Sequence, residues 1–242
     1  TKEENKIVFE GHIKSNEALS TKNLKICKKE ISRHISYHKD LVKESLMINK
    51  LPAMKIDFQG QTVLITGATR GMGKQFADDF AKLGADLILT GTDKDKIDIL
   101  NQDARHDKQI SKQYYAIDFT DVDSTKAFIE VINTYQKIDV CINNAGINRI
   151  NFIDETLIND WKDILCVNLE APFMITRTVS RLMKNNRYGR IINIASIFGL
   201  ISKAKRSIYS TTKFGLNGLT TTAAIELAPY NILVNSVSPG FV

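Results

Sequence analysis

Thr62-Val63-Leu64-Ile65-Thr66-Gly67-Ala68-Thr69-Arg70-Gly71-Met72-Gly73 is the stretch whose reading decides the fold. Its first five residues are apolar or β-branched, the composition of a short buried strand. Three glycines then fall within seven residues, and Lys74 to Leu83 continues with helical periodicity. A strand, a glycine turn and a helix place backbone N–H groups and the positive end of a helix where a pyrophosphate can sit. The strict G-x-G-x-x-G spacing is not met, because Phe76 stands at the third glycine position. The spacing is instead Thr-Gly-x-x-x-Gly-x-Gly.

Moving outward, Ala85 to Thr90 reads as a second strand, ending in Thr90-Gly91-Thr92. An NAD enzyme usually offers a carboxylate here to the ribose 2′-hydroxyl. Gly91 offers none, while Arg70 in the glycine loop is placed to meet a 2′-phosphate. The pair favours NADP over NAD, with Asp93, two residues on, as the counter-indication. A polar helix over 93–104 leads to a third strand, Gln113–Ile117, closed by Asp118-Phe119-Thr120. Asp118 has two readings: a hydrogen-bond acceptor for an adenine amine, or the N-cap of a helix starting near Ser124.

Ile138–Ile142 is a fourth strand, followed by Asn143-Asn144-Ala145-Gly146, where amides and a glycine allow close backbone approach to a ligand. Leu157 to Lys184 is a long helical stretch in which Asn168 lies among Trp161, Ile164, Val167 and Leu169. A polar side chain in that company needs a partner. Its role is structural, or it marks a kink that exposes a carbonyl to a water. Ile191–Ala195 is a fifth strand that delivers the Ser196 hydroxyl to its carboxyl end. Ile232–Val237 is the last, followed by Ser238-Pro239-Gly240.

Tyr209 and Lys213 are four residues apart, so on a helix they share a face. A phenol is a weak acid, with an ordinary pKa of about 10. An ammonium one turn away favours the phenolate and makes tyrosine a usable proton donor or acceptor. Alone, a Tyr-x-x-x-Lys pair is also an ordinary surface pair; the upstream stretches give it its meaning.

The 242 residues suffice for one domain plus an appendage, with 43% apolar and 25% charged residues as in ordinary globular chains. Residues 1–55 hold 12 Lys+Arg against 7 Asp+Glu, and the remainder 21 against 20, so the basic excess belongs to the first segment. Its interspersed acids fit a solvated surface better than a nucleic-acid footprint, and argue against an organelle transit peptide. No apolar run is long enough to span a membrane, and Cys27, Cys141 and Cys166 form no C-x-x-C pair. These features predict a cytoplasmic protein acting on small molecules. An amphipathic helix is predicted over 25–48, on which His34 and His38 lack a third ligand, so no metal site is expected. Leu51-Pro52 marks a break, and Met54 opens the second module. Residues 1–55 are therefore an extension or the tail of an upstream fused module, and 56–242 a dinucleotide-binding catalytic domain.

Taken together, Thr66-Gly67-x-x-x-Gly71-x-Gly73, Asn143-Asn144-Ala145-Gly146, Asn168, Ser196, Tyr209-x-x-x-Lys213 and Pro239-Gly240 resemble the short-chain dehydrogenase/reductase family. They stand in family order over about residues 57–242, closest in pattern to the 3-oxoacyl-carrier-protein reductases. The resemblance implies a Rossmann-type doubly wound parallel sheet with helices on both faces. It makes Tyr209 the general acid, Lys213 the group that tunes it and bonds the nicotinamide ribose, Ser196 the holder of the substrate oxygen and Asn168 the support of a water linked to Lys213. The cofactor-binding set is Gly67, Thr69, Arg70, Gly71, Met72, Gly73, Thr92, Asp118, Asn144, Ala145, Gly146, Tyr209, Lys213, Pro239 and Gly240. It also implies a homodimer or homotetramer through the helices near 157–184 and 207–228. Two departures stand out: the extension, and a chain that stops at Val242, before the family's lid and seventh strand. No histidine follows His106, which excludes a His-based dehydrogenase or hydrolase triad there. The function expected is NADPH-dependent reduction of a carbonyl. The alternatives are a sugar or polyol dehydrogenase, and a non-catalytic dinucleotide-binding module.

Overall fold

The computed structural model describes residues 56–104 and 110–240. The helix read over 25–48, with His34 and His38, lies outside the described residues. Six strands form one sheet: β1 (Thr62–Ile65), β2 (Asp86–Gly91), β3 (Lys112–Ala116), β4 (Val140–Asn143), β5 (Gly189–Ile194) and β6 (Ile232–Val237). Six α-helices connect or follow them: α1 (Gly71–Lys82), α2 (Lys94–Ala104), α3 (Val122–Asn133), α4 (Ile158–Leu165), α5 (Ala171–Asn186) and α6 (Ser207–Leu227). Every strand pair is parallel, in the order β3-β2-β1-β4-β5-β6. Winding runs one way from β1 to β3 and the other way from β4 to β6. The reversal opens a crevice at the carboxyl ends of β1 and β4, where ligands of such sheets bind.

Parallel strands are buried on both faces, and the period-2 alternation of side chains divides β1 between two cores. Leu64 joins Ile88, Cys141, Ile191, Phe128, Ile175, Val179 and Met183 on the face covered by α3, α5 and α6. Val63 and Ile65 join Leu87, Leu89, Val140, Ile142 and Ala77 on the face covered by α1. Phe128 is fully buried, so its truncation to alanine should cost about 3–5 kcal/mol.

Apart from one break, strand and helix ends differ from the sequence reading by up to three residues, the largest shift being the first helix, read from Lys74 and starting at Gly71. The stretch over 157–184 is not one helix: Cys166–Glu170 is a π turn between α4 and α5, with the Ala171 N–H donating to the Cys166 carbonyl five residues back. Asn168 sits at the centre of this π turn. Among the described residues no helix is long and apolar enough to cross a membrane, and no cluster of metal-ligating side chains occurs.

Candidate active site

Gly67 and Gly71 hold φ of +65° and +54°, the left-handed region where a Cβ is strained. Gly73 has an ordinary φ, yet a Cβ there would collide with the Gly67 carbonyl oxygen and Asn144 Nδ2. The loop is tied down on two sides. Gly67 N–H donates to Thr90 Oγ1 at 3.1 Å and Ala68 N–H to the Thr90 carbonyl at 2.7 Å. Thr66 Oγ1 accepts from the N–H groups of Asn144 and Ala145, both at 3.0 Å, while Asn144 Nδ2 returns bonds to the carbonyls of Thr66 and Gly67. A cavity of about 290 Å³ opens over this cradle. Gly67, Thr69, Arg70, Gly71, Met72 and Gly73 line it from the loop, Thr92 and Asp118 from the ends of β2 and β3, and Asn144, Ala145 and Gly146 from beyond β4.

At the end of β2, a Cβ on Gly91 would run into the Thr69 side chain, so this position has no room for a carboxylate. Asp93 is also committed: its Oδ1 accepts from Lys96 N–H at 3.0 Å at the start of α2. Lys96 Nζ reaches back to the Thr69 carbonyl at 3.0 Å, and Arg70 is exposed at the cavity rim. The rim of this corner therefore carries two cations, with its nearest acid turned to capping. Asp118 is not the helix cap. That role belongs to Asp121, which accepts from Asp123 N–H at 2.9 Å, while Asp118 Oδ1 accepts from Thr120 N–H and Oγ1 beside the cavity.

Ser196, Tyr209, Lys213, Asn168, Pro239 and Gly240 lie outside that cavity and form a neighbouring cluster with its own supports. Lys213 is 4% exposed, and Nζ donates to the Ile194 carbonyl at 2.7 Å. Burial pushes its pKa down to about 8. Nζ lies 5.6 Å from the Tyr209 ring centre. Asn168 is fully buried; Oδ1 accepts from Ile147 N–H, and Nδ2 donates to the Ile147 carbonyl and to Thr212 Oγ1. Ser196 Oγ accepts from Phe198 N–H at 3.2 Å, which leaves its own O–H free to donate. Ile197 N–H donates to the Pro239 carbonyl, so Pro239 and the following Gly240 flank the serine turn. Gly146 joins the two groups: it lines the cavity, and a Cβ on it would lie 3.5 Å from Asn168 Oδ1 and 3.7 Å from Lys213 Nζ.

A glycine-walled cavity thus meets Asn168 and Lys213 at Gly146, and residues 61–242 match the model of the short chain dehydrogenases. The chain belongs to the short-chain dehydrogenase/reductase family. It is 38% identical over 190 residues to the 3-oxoacyl-[acyl-carrier-protein] reductase FabG of Aquifex aeolicus (strain VF5), covering 78% of this chain and 77% of that protein. Against the FabG of Escherichia coli (strain K12) the identity is 32%, over 77% of this chain and 75% of that one. Among solved structures, a metagenomic short-chain oxidoreductase in complex with NADP matches at a TM-score of 0.69 and 33% identity, covering 76% of this chain and 84% of that one. NAD+-bound xylitol dehydrogenase matches at 0.68 and 32%, covering 76% and 71%. As a short-chain dehydrogenase/reductase the protein is an oxidoreductase of the nicotinamide-dependent kind.

Several residues that brace the site of this short-chain dehydrogenase/reductase have no role assigned from the sequence. Thr66 and Thr90 hold the glycine loop, Thr212 holds Asn168, and Lys96 braces Thr69. Ile117, Phe119, Thr120, Ile147 and Val167 also line the cavity. A signal existed only for Thr66 and Thr90, as the last polar residues of otherwise apolar strands.

Proposed function

We propose that this short-chain dehydrogenase/reductase is an NADPH-dependent reductase of ketone carbonyls, 3-oxoacyl thioesters first among them, with Tyr209 as proton donor. The observation that carries the reading is the meeting at Gly146 of the nucleotide cavity with Lys213 and Asn168. The cradle fits a dinucleotide: Gly73 admits no side chain, and the first-turn N–H groups of α1 and those of the loop supply donors for phosphates. Arg70 and Lys96 suit a 2′-phosphate, and Gly91 and the engaged Asp93 leave a ribose hydroxyl without its carboxylate. Asp118 serves the adenine, and Lys213 the nicotinamide ribose.

When bound, the reduced nicotinamide supplies the hydride. The chain's own residues do the rest. Ser196 O–H donates to the carbonyl oxygen and orients it. Tyr209 O–H delivers the proton to that oxygen as negative charge develops there. Lys213, with a pKa near 8, is mainly an ammonium at neutral pH and stands 5.6 Å from the Tyr209 ring centre. Asn168, at the π turn, fixes the Ile147 backbone beside Lys213 and supports the route by which a proton returns to Tyr209. Oxidation of an alcohol runs the same steps backward, which is the second reading; xylitol dehydrogenase among the structural neighbours favours it.

Ile56–Val242 is the catalytic domain in this reading, and residues 1–55 are an appended segment. Leu157, Ile158, Trp161, Phe173, Phe214 and Ile225 are exposed on α4, its approach, α5 and α6, and a second copy of the chain covers them. A monomeric mass by light scattering at micromolar concentration would contradict that assembly. The test of the activity is loss of absorbance at the reduced-nicotinamide band with 3-oxoacyl thioesters, diketones and ketoses, run with NADPH and with NADH. The reading expects thioester turnover with NADPH. Turnover of polyols alone would replace it with the second reading, and no turnover of any carbonyl or alcohol would leave a binding module.

A further inference from the structure

Two threonines on α6 each take a hydrogen from a buried asparagine. Asn168 Nδ2 donates to Thr212 Oγ1 at 3.2 Å, and Asn193 Nδ2 to Thr220 Oγ1 at 2.9 Å. Both hydroxyls pass their own proton to a helix carbonyl, Thr212 to Tyr209 at 2.8 Å and Thr220 to Leu216 at 2.7 Å. All four side chains are buried. The two links match in chemistry and differ in what they fasten. Thr220 ties α6 to β5, whereas Thr212 ties it to the π turn from a position between Tyr209 and Lys213 in the chain.

The Asn168 amide is fully engaged. Its Oδ1 takes the Ile147 N–H, and the two hydrogens on Nδ2 go to the Ile147 carbonyl and to Thr212. Reversing the amide would set donor against donor and acceptor against acceptor. Without the threonine hydroxyl, one of those hydrogens is buried with no acceptor, which a low-dielectric interior penalises. The next residue, Leu169, fits α6 closely as well: a Cβ on Gly215 would lie 3.0 Å from its Cδ2. The π turn thus meets α6 through a hydrogen bond at Thr212 and a fitted side chain at Gly215. On the other side of Asn168 is the Gly146–Ile147 backbone, where a Cβ on Gly146 would lie 3.7 Å from Lys213 Nζ. A path of hydrogen bonds therefore runs from the Tyr209 carbonyl through Thr212 and Asn168 to the backbone beside Lys213.

We propose that Thr212 is a positioning residue: its hydroxyl locks the Asn168 amide, and through it the Ile147 backbone, in register with Tyr209 and Lys213. The inference rests on the reductase reading and adds to it the residue that holds the proton route to Tyr209 in place.

The matched pair of threonines supplies the test. Thr212→Val keeps the size of the side chain and removes the hydroxyl, and Thr220→Val makes the same change on the link that does not reach Asn168. The substrate is acetoacetyl-coenzyme A or, if the parent accepts only alcohols, xylitol. Thr212→Val should lower kcat about tenfold or more with KM within about twofold, since a misplaced group costs rate rather than binding. The solvent deuterium isotope effect on kcat should rise, because proton delivery then limits the cycle. Thr212→Ser, which restores the hydroxyl, should recover most of kcat. Thr220→Val should stay within about twofold of the parent in kcat, although it loses the same kind of bond. Equal losses of kcat in the two valine variants, or an unchanged isotope effect in Thr212→Val, would make Thr212 a brace of the fold and overturn the positioning role. Amide hydrogen exchange separates this claim from the reductase reading. The Ile147 amide should exchange about tenfold faster in Thr212→Val than in Thr220→Val, since only the first frees its Asn168 partner. If the parent turns over nothing and Ile147 still responds in this way, the reductase reading fails and the Thr212 link stands. If Ile147 exchanges alike in both variants, the link fails whatever the activity.

Discussion

Over the carboxyl ends of β1, β2 and β4 the site is made of backbone; beside β5 and α6 it is made of side chains. The first region is shaped by what is missing, since a side chain on Gly67, Gly73 or Gly91 would press on Ala145, on the Gly67 carbonyl and Asn144, or on Thr69. Its support is a lattice of threonine and asparagine bonds to main-chain groups. The second depends on what is present: a buried ammonium, a serine hydroxyl with its donor free, and a phenol against an aromatic ring. In the proposed reading, a backbone cradle holds any dinucleotide in the same way. A side-chain cluster sets the chemistry and can be changed one group at a time. Binding and turnover should therefore separate cleanly under mutation.

The largest effect tests the cost of the side-chain region. Lys213 has its pKa lowered from 10.5 to about 8 by burial, so between those values the unfolded chain holds a proton that the folded one has released. Stability of the parent relative to Lys213→Met should rise with pH through that window, by about 3 kcal/mol in all, and be flat below it. Denaturant melts of both proteins from pH 7 to 10.5 measure this; parallel profiles would show that the lysine is not desolvated.

Next, Gly73→Ala attacks the backbone region. The added methyl meets the Gly67 carbonyl and Asn144 Nδ2, neither of which can move without dragging the loop. NADPH affinity should fall by about a hundredfold, some 2.7 kcal/mol, by fluorescence titration. An alanine variant that binds as tightly as the parent would mean that the loop yields, and the contrast between the regions would weaken.

Arg70→Ala sharpens the picture at the rim. NADPH should bind about tenfold more weakly, near 1.4 kcal/mol, with NADH nearly unaffected. Lys96→Gln should cost about threefold for NADPH in the same titration, because the charge beside the Thr69 carbonyl is gone. Equal losses for NADH and NADPH in either variant would assign these residues to loop structure alone.

The same division explains what could be read in advance. Most of the strands are apolar runs bounded by glycine or polar turns, so periodicity places them to within a residue or two, and their alternation with helices implies the parallel sheet. The glycine loop and the Tyr209–Lys213 pair are local in sequence, and so is their meaning. What pins them is not: Gly67 and Thr90 are 23 residues apart, Asn168 and Thr212 are 44, and Asn144 and Thr66 are 78. No spacing rule reaches across such separations. Asn168 was visible as a polar residue among apolar ones, which pointed to a kink but not to a π turn. The capping alternative for Asp118 failed because Asp121, three residues on, starts α3 earlier than the periodicity suggests.

The most direct measurement of the central claim is Tyr209→Phe, with NADPH affinity and thioester turnover read on the same preparation. The variant keeps the ring against Phe198 and leaves the glycine cradle, Asp118 and Lys213 untouched. NADPH should bind within about twofold of the parent, while turnover drops by the roughly 10²–10⁴ that general acid catalysis contributes. A phenylalanine variant that reduces its substrate as fast as the parent would remove Tyr209 from the chemistry, and with it the separation of a cofactor-holding backbone from a proton-donating side chain.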